Sequence, residues 1–149
     1  MATISTTVRK ESIVAIAVRG KKVLMVRRNA GEGIQHGFPV GSHSSYNSVE
    51  GVALVTTFSQ TGLTFEKYPD QVPVMYSQPA DPETGQSGCS ATVLFGHVKE
   101  PLNRNSPLFE AEWVNINTAI KRAHKVGERD FAYKATAQAL ESLKALYGL

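Results

Sequence analysis

The chain has 149 residues, 42% of them hydrophobic and 19% charged, and a formal net charge of +3. That length suits one domain able to bury a core without disulfides or metals, and the longest apolar runs are far too short to span a bilayer, so no membrane segment is expected. Lys and Arg are spread along the chain without interleaved aromatics, which argues against a nucleic-acid partner; the plain reading is a mildly basic, solvated surface, and the sharper one an attraction to phosphate-bearing ligands.

The polar start, MATISTTVRK, lacks the continuous apolar core of a secretory signal and reads as a flexible arm over residues 1–10, ahead of a single domain at 11–149. The lone Cys89 has no internal disulfide partner, which fits a reducing compartment and a cytoplasmic protein. Residues 12–18 (SIVAIAV) and 23–26 (VLMV) form a strand pair joined by Arg19-Gly20-Lys21-Lys22, a hairpin signal. In the first strand both alternating sets, Ile13/Ala15/Ala17 and Val14/Ile16/Val18, are apolar, so it must be covered on both faces and asks for a sheet sandwiched between helices.

After Arg27-Arg28, glycines and a proline predict a loop that returns through a short strand at 37–41. A helix follows over Ser48–Thr61, capped by Asn47 or Ser48 and stopped by Gly62, with Val49, Val52, Ala53 and Phe58 near one face and Glu50, Thr57 and Gln60 elsewhere. Beyond it, 63–68, 73–77, 89–98 and 110–116 read as strands, and 78–88 as an exposed turn. Two helices close the chain, at 117–125 and 130–147. The second carries a stripe of Phe131, Ala135, Ala139, Leu143 and Tyr147 that would pack on the sheet, with Asp130 as its cap.

The stretch GSHSSYNSVEGVALVTTFSQTGL at 41–63 resembles the loop-helix-loop of the Nudix (MutT-like) family, whose box runs G-x5-E-x7-R-E-U-x-E-E-x-G-U with U a bulky aliphatic residue. Gly41, Gly62 and Leu63 fall on the first and the last two places. The surroundings are similar too: VLMVRR, then a loop, then HGFPVG where the family often has W-x-F-P-G-G, and EAEWVNI before a helix. The resemblance covers roughly residues 11–147 and implies an α+β fold, an α/β/α sandwich with a mixed sheet between helices.

The family hydrolyses nucleoside diphosphates linked to another group, holding Mg²⁺ or Mn²⁺ on box glutamates that converge on one helical face. Here the first glutamate place is Asn47, the arginine is Val55, the next glutamate is Thr56, the aliphatic place is Thr57, and the glutamate pair is Ser59 and Gln60. Hydroxyls and an amide carry no charge and cannot compete with water for a hard cation. The resemblance therefore implies a domain inactive by the family mechanism, with no metal or other cofactor. It would keep a cleft for a nucleotide or other phosphorylated small molecule, or serve a protein partner as an interaction module. Arg27 or Arg28, His36, Ser42, His43, Thr56, Ser59 and Gln60 would face that ligand. Strand alternation lets only one of the two arginines do so.

The alternative is an enzyme. Either Glu110, Glu112 or Glu128 replaces the lost ligands and restores Mg²⁺ or Mn²⁺, or His36 and His43 support metal-free acid–base chemistry. Against these stand solvated or ion-paired roles for the glutamates and polar loop roles for the histidines. Nudix domains are frequently dimers, so the resemblance leaves a homodimer open.

Overall fold

A computed structural model describes residues 10–30, 33–42, 48–85, 88–100, 109–128 and 130–147. The expected N-terminal arm lies, except for Lys10, outside these residues, as does His43. In chain order the elements are β1 (Lys10–Arg19), β2 (Lys22–Ala30), β3 (Gly33–Gly37), β4 (Val40–Ser42), α1 (Val49–Thr61), β5 (Thr64–Lys67), β6 (Val74–Gln78), β7 (Cys89–Lys99), β8 (Glu110–Asn115), α2 (Ile116–Gly127) and α3 (Phe131–Tyr147).

β1 is the spine. It runs parallel to β7 from Lys10↔Cys89 to Ala17↔Gly96, and antiparallel to β4 around Ile13↔Gly41. At its far end it turns through Gly20, φ 59, into β2, with Arg19 opposite Lys22. Glycine in the first place of a two-residue hairpin turn allows that positive φ. β2 then pairs with β3 on one side and β8 on the other, while β7 carries β5 and β6. The sheet is mixed, and helices cover both faces.

The double apolar alternation of β1 is answered by two cores. Ile13, Ala15 and Ala17 join Leu24, Phe65 and Leu94 beneath Val52 and Ala53 of α1. Val14 and Ile16 join Met25, Val93 and Phe95 beneath Ala119 and Ala123 of α2 and Ala135, Ala139 and Leu143 of α3. This is the α/β/α sandwich that the strand pattern asked for.

Three local expectations need correction. The stretch after Arg28 is not a loop: β2 continues to Ala30 and pairs with β3 from Val26↔Gly37 to Ala30↔Gly33, a second hairpin held by backbone bonds that do not require apolar alternation. The single short strand at 37–41 is two strands, β3 and β4, separated by Phe38 and Pro39, because Pro39 offers no N–H to a ladder. Thr57 also belongs to the buried face of α1, at 1% exposure, because it continues the Ala53, Thr57, Thr61 row at four-residue spacing.

Candidate functional site

The box helix keeps its frame. Ser48 caps it, its side chain accepting from Gly51 N at 3.0 Å, and Gly62 ends it in the left-handed region with its N–H donating to Phe58 O at 2.9 Å. Gly41 abuts the helix so closely that a Cβ there would collide with Thr56 Oγ1 and Val52 Cγ1. Thr57, on the box's aliphatic place, is buried, and Val55, on its arginine place, is 64% exposed.

The polar residues on that helix are poor ligands for a divalent cation. The Ser59 hydroxyl is engaged by the helix itself, donating to Thr56 O at 3.1 Å. Gln60 Oε1 is enclosed and has no hydrogen-bond partner among the described residues. No group of three or more His, Cys, Asp or Glu among the described residues is arranged to hold a metal ion. The donor set at Thr56, Ser59 and Gln60 therefore does not fit Mg²⁺ or Mn²⁺, which need several oxygen ligands, normally with carboxylate charge.

A second group of candidates lies on β2, β3 and β8. Arg27 sits directly opposite His36 of β3 and Glu110 of β8, and Met25 opposite Glu112. Directly paired residues share a face, and Met25 belongs to the core under α2 and α3. Arg27, His36, Glu110 and Glu112 therefore point to the α2 side of the sheet, away from α1. Ala111 and Trp113, between and after the two glutamates, take the α1 side, where Trp113 packs in the other core and carries the Arg19 guanidinium 4.3 Å over its ring. The two groups approach each other at the rim, where Phe109 N donates to Gln60 O at 3.1 Å, one residue before Glu110.

On the α2 side the side chains form a connected charge cluster. His36 Nδ1 lies 2.9 Å from Glu112 Oε1, and Arg122 of α2 donates to the same oxygen at 3.0 Å. Arg27 is held loosely, 4.0 Å from Glu110, with its side chain 44% exposed. No motif marked Arg122. Its place in the cluster depends on how α2 packs over β2 and β8, which spacing along the chain does not report.

The remaining candidates are dispersed. Ser42 is exposed at the end of β4, and Glu128 is exposed in the turn between α2 and α3. Arg28 is paired through its backbone with Gln35, and its side chain lies outside the described residues. Glu50 lies 4.0 Å from Lys67, and Asp130 caps α3 by accepting from Ala132 N at 2.9 Å. Phe38, beside the box, is fully buried, and its N–H donates to the Tyr133 hydroxyl at 3.1 Å, so α3 locks the approach to the box from below.

No family model matches the sequence, and no curated protein matches it. Solved structures do. A NUDIX hydrolase from Nitrosomonas europaea superposes with a TM-score of 0.59 at 18% identity, over 76% of this chain and 77% of its own. An ADP compounds hydrolase gives 0.62 at 12% identity, over 93% and 75%. A MutT NUDIX hydrolase from Burkholderia pseudomallei gives 0.51 at 19%, over 73% and 84%. The fold of this chain is that of the Nudix hydrolases.

Proposed function

We propose that this chain is a Nudix-fold binding domain for a nucleotide or another phosphorylated small molecule, and that it does not hydrolyse diphosphates by the metal-dependent mechanism. One observation carries the binding reading: Arg27 and His36 are direct cross-strand partners on one face, and the Arg27 guanidinium is half-exposed and only loosely tied to Glu110. A forked guanidinium free to reorient is well suited to phosphate oxygens. The replacement of every box carboxylate and of the box arginine supports the loss of hydrolysis. One of the similar structures is a hydrolase of ADP compounds, which makes ADP-linked molecules the first ligands to try.

A panel of nucleotides and ADP-linked compounds, with and without Mg²⁺ or Mn²⁺, would be read by thermal shift and by phosphate release. Metal-independent stabilisation without turnover is the expected result. Metal-dependent phosphate release would overturn the reading. Absence of any stabilisation would turn it toward an interaction module.

A second reading rests on the short contact between His36 and Glu112. His36 Nδ1 lies 2.9 Å from the Glu112 carboxylate but is not aligned to hydrogen-bond with it, so a rotation of the ring would have to come first for the carboxylate to set the imidazole tautomer and leave Nε2 to take or give a proton. With Arg122 holding the carboxylate, this dyad supports a repurposed acid–base enzyme acting without metal. Turnover lost in both His36→Ala and Glu112→Gln, but kept in Glu110→Gln, would favour it.

A further inference from the structure

A cavity of about 810 Å³ opens between the C-terminal half of α3 and the segment linking β5 to β6, away from the box helix and from the Arg27 cluster. Its walls include three aromatic rings, Tyr68, Tyr76 and Phe95, with Leu143 of α3 opposite. The sequence builds it locally. Pro69 follows the end of β5, and the chain from Tyr68 to Gln71 is tied down by backbone and side-chain bonds at both its ends. Tyr68 N donates to Phe95 O and Gln71 N to Tyr68 O, both at 3.1 Å, while Gln71 Oε1 accepts from Phe95 N at 2.6 Å. The Lys67 ammonium donates to the carbonyls of Tyr68 and Gln71 at 2.9 and 2.7 Å. These bonds brace the loop in place.

Polar groups on the lining remain uncommitted, the Asp70 carboxylate and the Tyr76 hydroxyl among them. Among the described residues neither the Asp70 carboxylate nor the Tyr76 hydroxyl has a hydrogen-bond or ion-pair partner. Burial pushes the Tyr76 phenol up, so it stays a neutral donor and acceptor. Among the described residues no Lys, Arg or His lines the cavity. Its size is that of a small-molecule site, and apolar walls with a few free polar groups are the usual make-up of one.

We propose that this cavity is a ligand site separate from the Arg27–His36 pair, and that it takes an aromatic amine, its ring lodged among Tyr68, Tyr76 and Phe95 and its cationic nitrogen at Asp70. The chemistry selects against phosphates. An anion would meet an unpaired carboxylate and no compensating cation, whereas a ring-bearing ammonium gains from both the carboxylate and the aromatic faces. This inference does not depend on the nucleotide reading above.

Tryptamine and indole-3-acetate, which share a ring and differ in the sign of their charge, would be titrated by calorimetry at low salt into the parent protein, Asp70→Asn and Ser142→Trp. Ser142 is an exposed residue of α3 on the cavity lining, so the indole of the variant fills the cavity without removing a core residue. The expected result is saturable tryptamine binding, weaker indole-3-acetate binding, and loss of both in folded Ser142→Trp. Because Asp70 is exposed, its replacement should weaken tryptamine only about threefold and narrow the difference between the two ligands. Equal affinity for the two compounds, no saturable binding, or undiminished binding in Ser142→Trp would overturn the proposal. So would sedimentation showing that the parent self-associates and Ser142→Trp does not, because Val72 and Leu146 on the lining are each 79% exposed and a second copy would then be the occupant.

Discussion

Gly41 lies against Thr56, with no room between them for a Cβ. The contact joins the residue aligned with the first place of the box to one aligned with a glutamate place. Gly41→Ala should therefore cost about 1–3 kcal/mol, the usual range for overpacking a close contact. Pairing it with Thr56→Ala should recover much of that loss in urea denaturation, since the two sites share one contact. Full additivity would mean that the collision is relieved elsewhere.

Thr57 gives a prediction of the opposite sign. Its Oγ1 is buried and has no hydrogen-bond partner among the described residues. Thr57→Val keeps the shape and removes the unsatisfied hydroxyl, so it should stabilise the fold by about 1–2 kcal/mol. A destabilised variant would reveal a partner for that hydroxyl.

Restoring the box tests the helix assignment. Val55 is 64% exposed, so Val55→Arg should cost little, and exposed Ser59→Glu likewise; Thr56→Glu and Gln60→Glu complete the set. The quadruple variant should acquire Mn²⁺ affinity in calorimetry and a Mn²⁺-dependent rise in melting temperature that the parent lacks. Hydrolysis need not follow, because Asn47 and the groups around the site remain unrepaired. A folded variant without Mn²⁺ affinity would show that this helix does not present those positions together.

Arg27→Ala should weaken a bound nucleotide by about tenfold, the value of one hydrogen bond to a charged group, while changing stability by less than about 0.5 kcal/mol because its ion pair with Glu110 is long and exposed. Glu110→Gln frees the guanidinium and should leave affinity unchanged or tighter. Unaltered affinity in Arg27→Ala would remove Arg27 from the ligand site.

Among the described residues, Glu66 contributes to the acid limb of stability. The Lys99 ammonium, 2.6 Å from Glu66, holds that carboxyl below its ordinary value of 4.5, with a smaller contribution from His97. A lowered folded-state value stabilises the protein above the unfolded value, and the contribution is lost as pH falls through the folded one. Lys99→Ala should therefore flatten a small part of the fall in melting temperature below pH 4.5, an effect that shrinks as salt is added. An identical profile for the two proteins at low salt would exclude it.

Some of this protein was written locally. β1 has apolar residues in both alternating sets, and a strand of that kind must lie between two covered faces wherever it sits in the chain. The box helix carries its own start and stop in Ser48 and Gly62, and Asp130 caps α3, because capping is settled by residues within one turn.

Other features depended on how distant segments meet. Alternation along β8 makes Glu110 and Glu112 share a face, but only the β2–β8 register, with Glu112 opposite Met25 and Glu110 opposite Arg27, decides that the face is the α2 side and not the box-helix side. The same holds for His36, which reaches Glu112 because two antiparallel ladders bring β3 and β8 to either side of β2, and for Arg122, which arrives on a helix packed above them. Periodicity states which residues lie together on one element. Which of two equivalent faces they share with residues of other elements is chosen by backbone pairing and core packing, and those act through the folded chain as a whole.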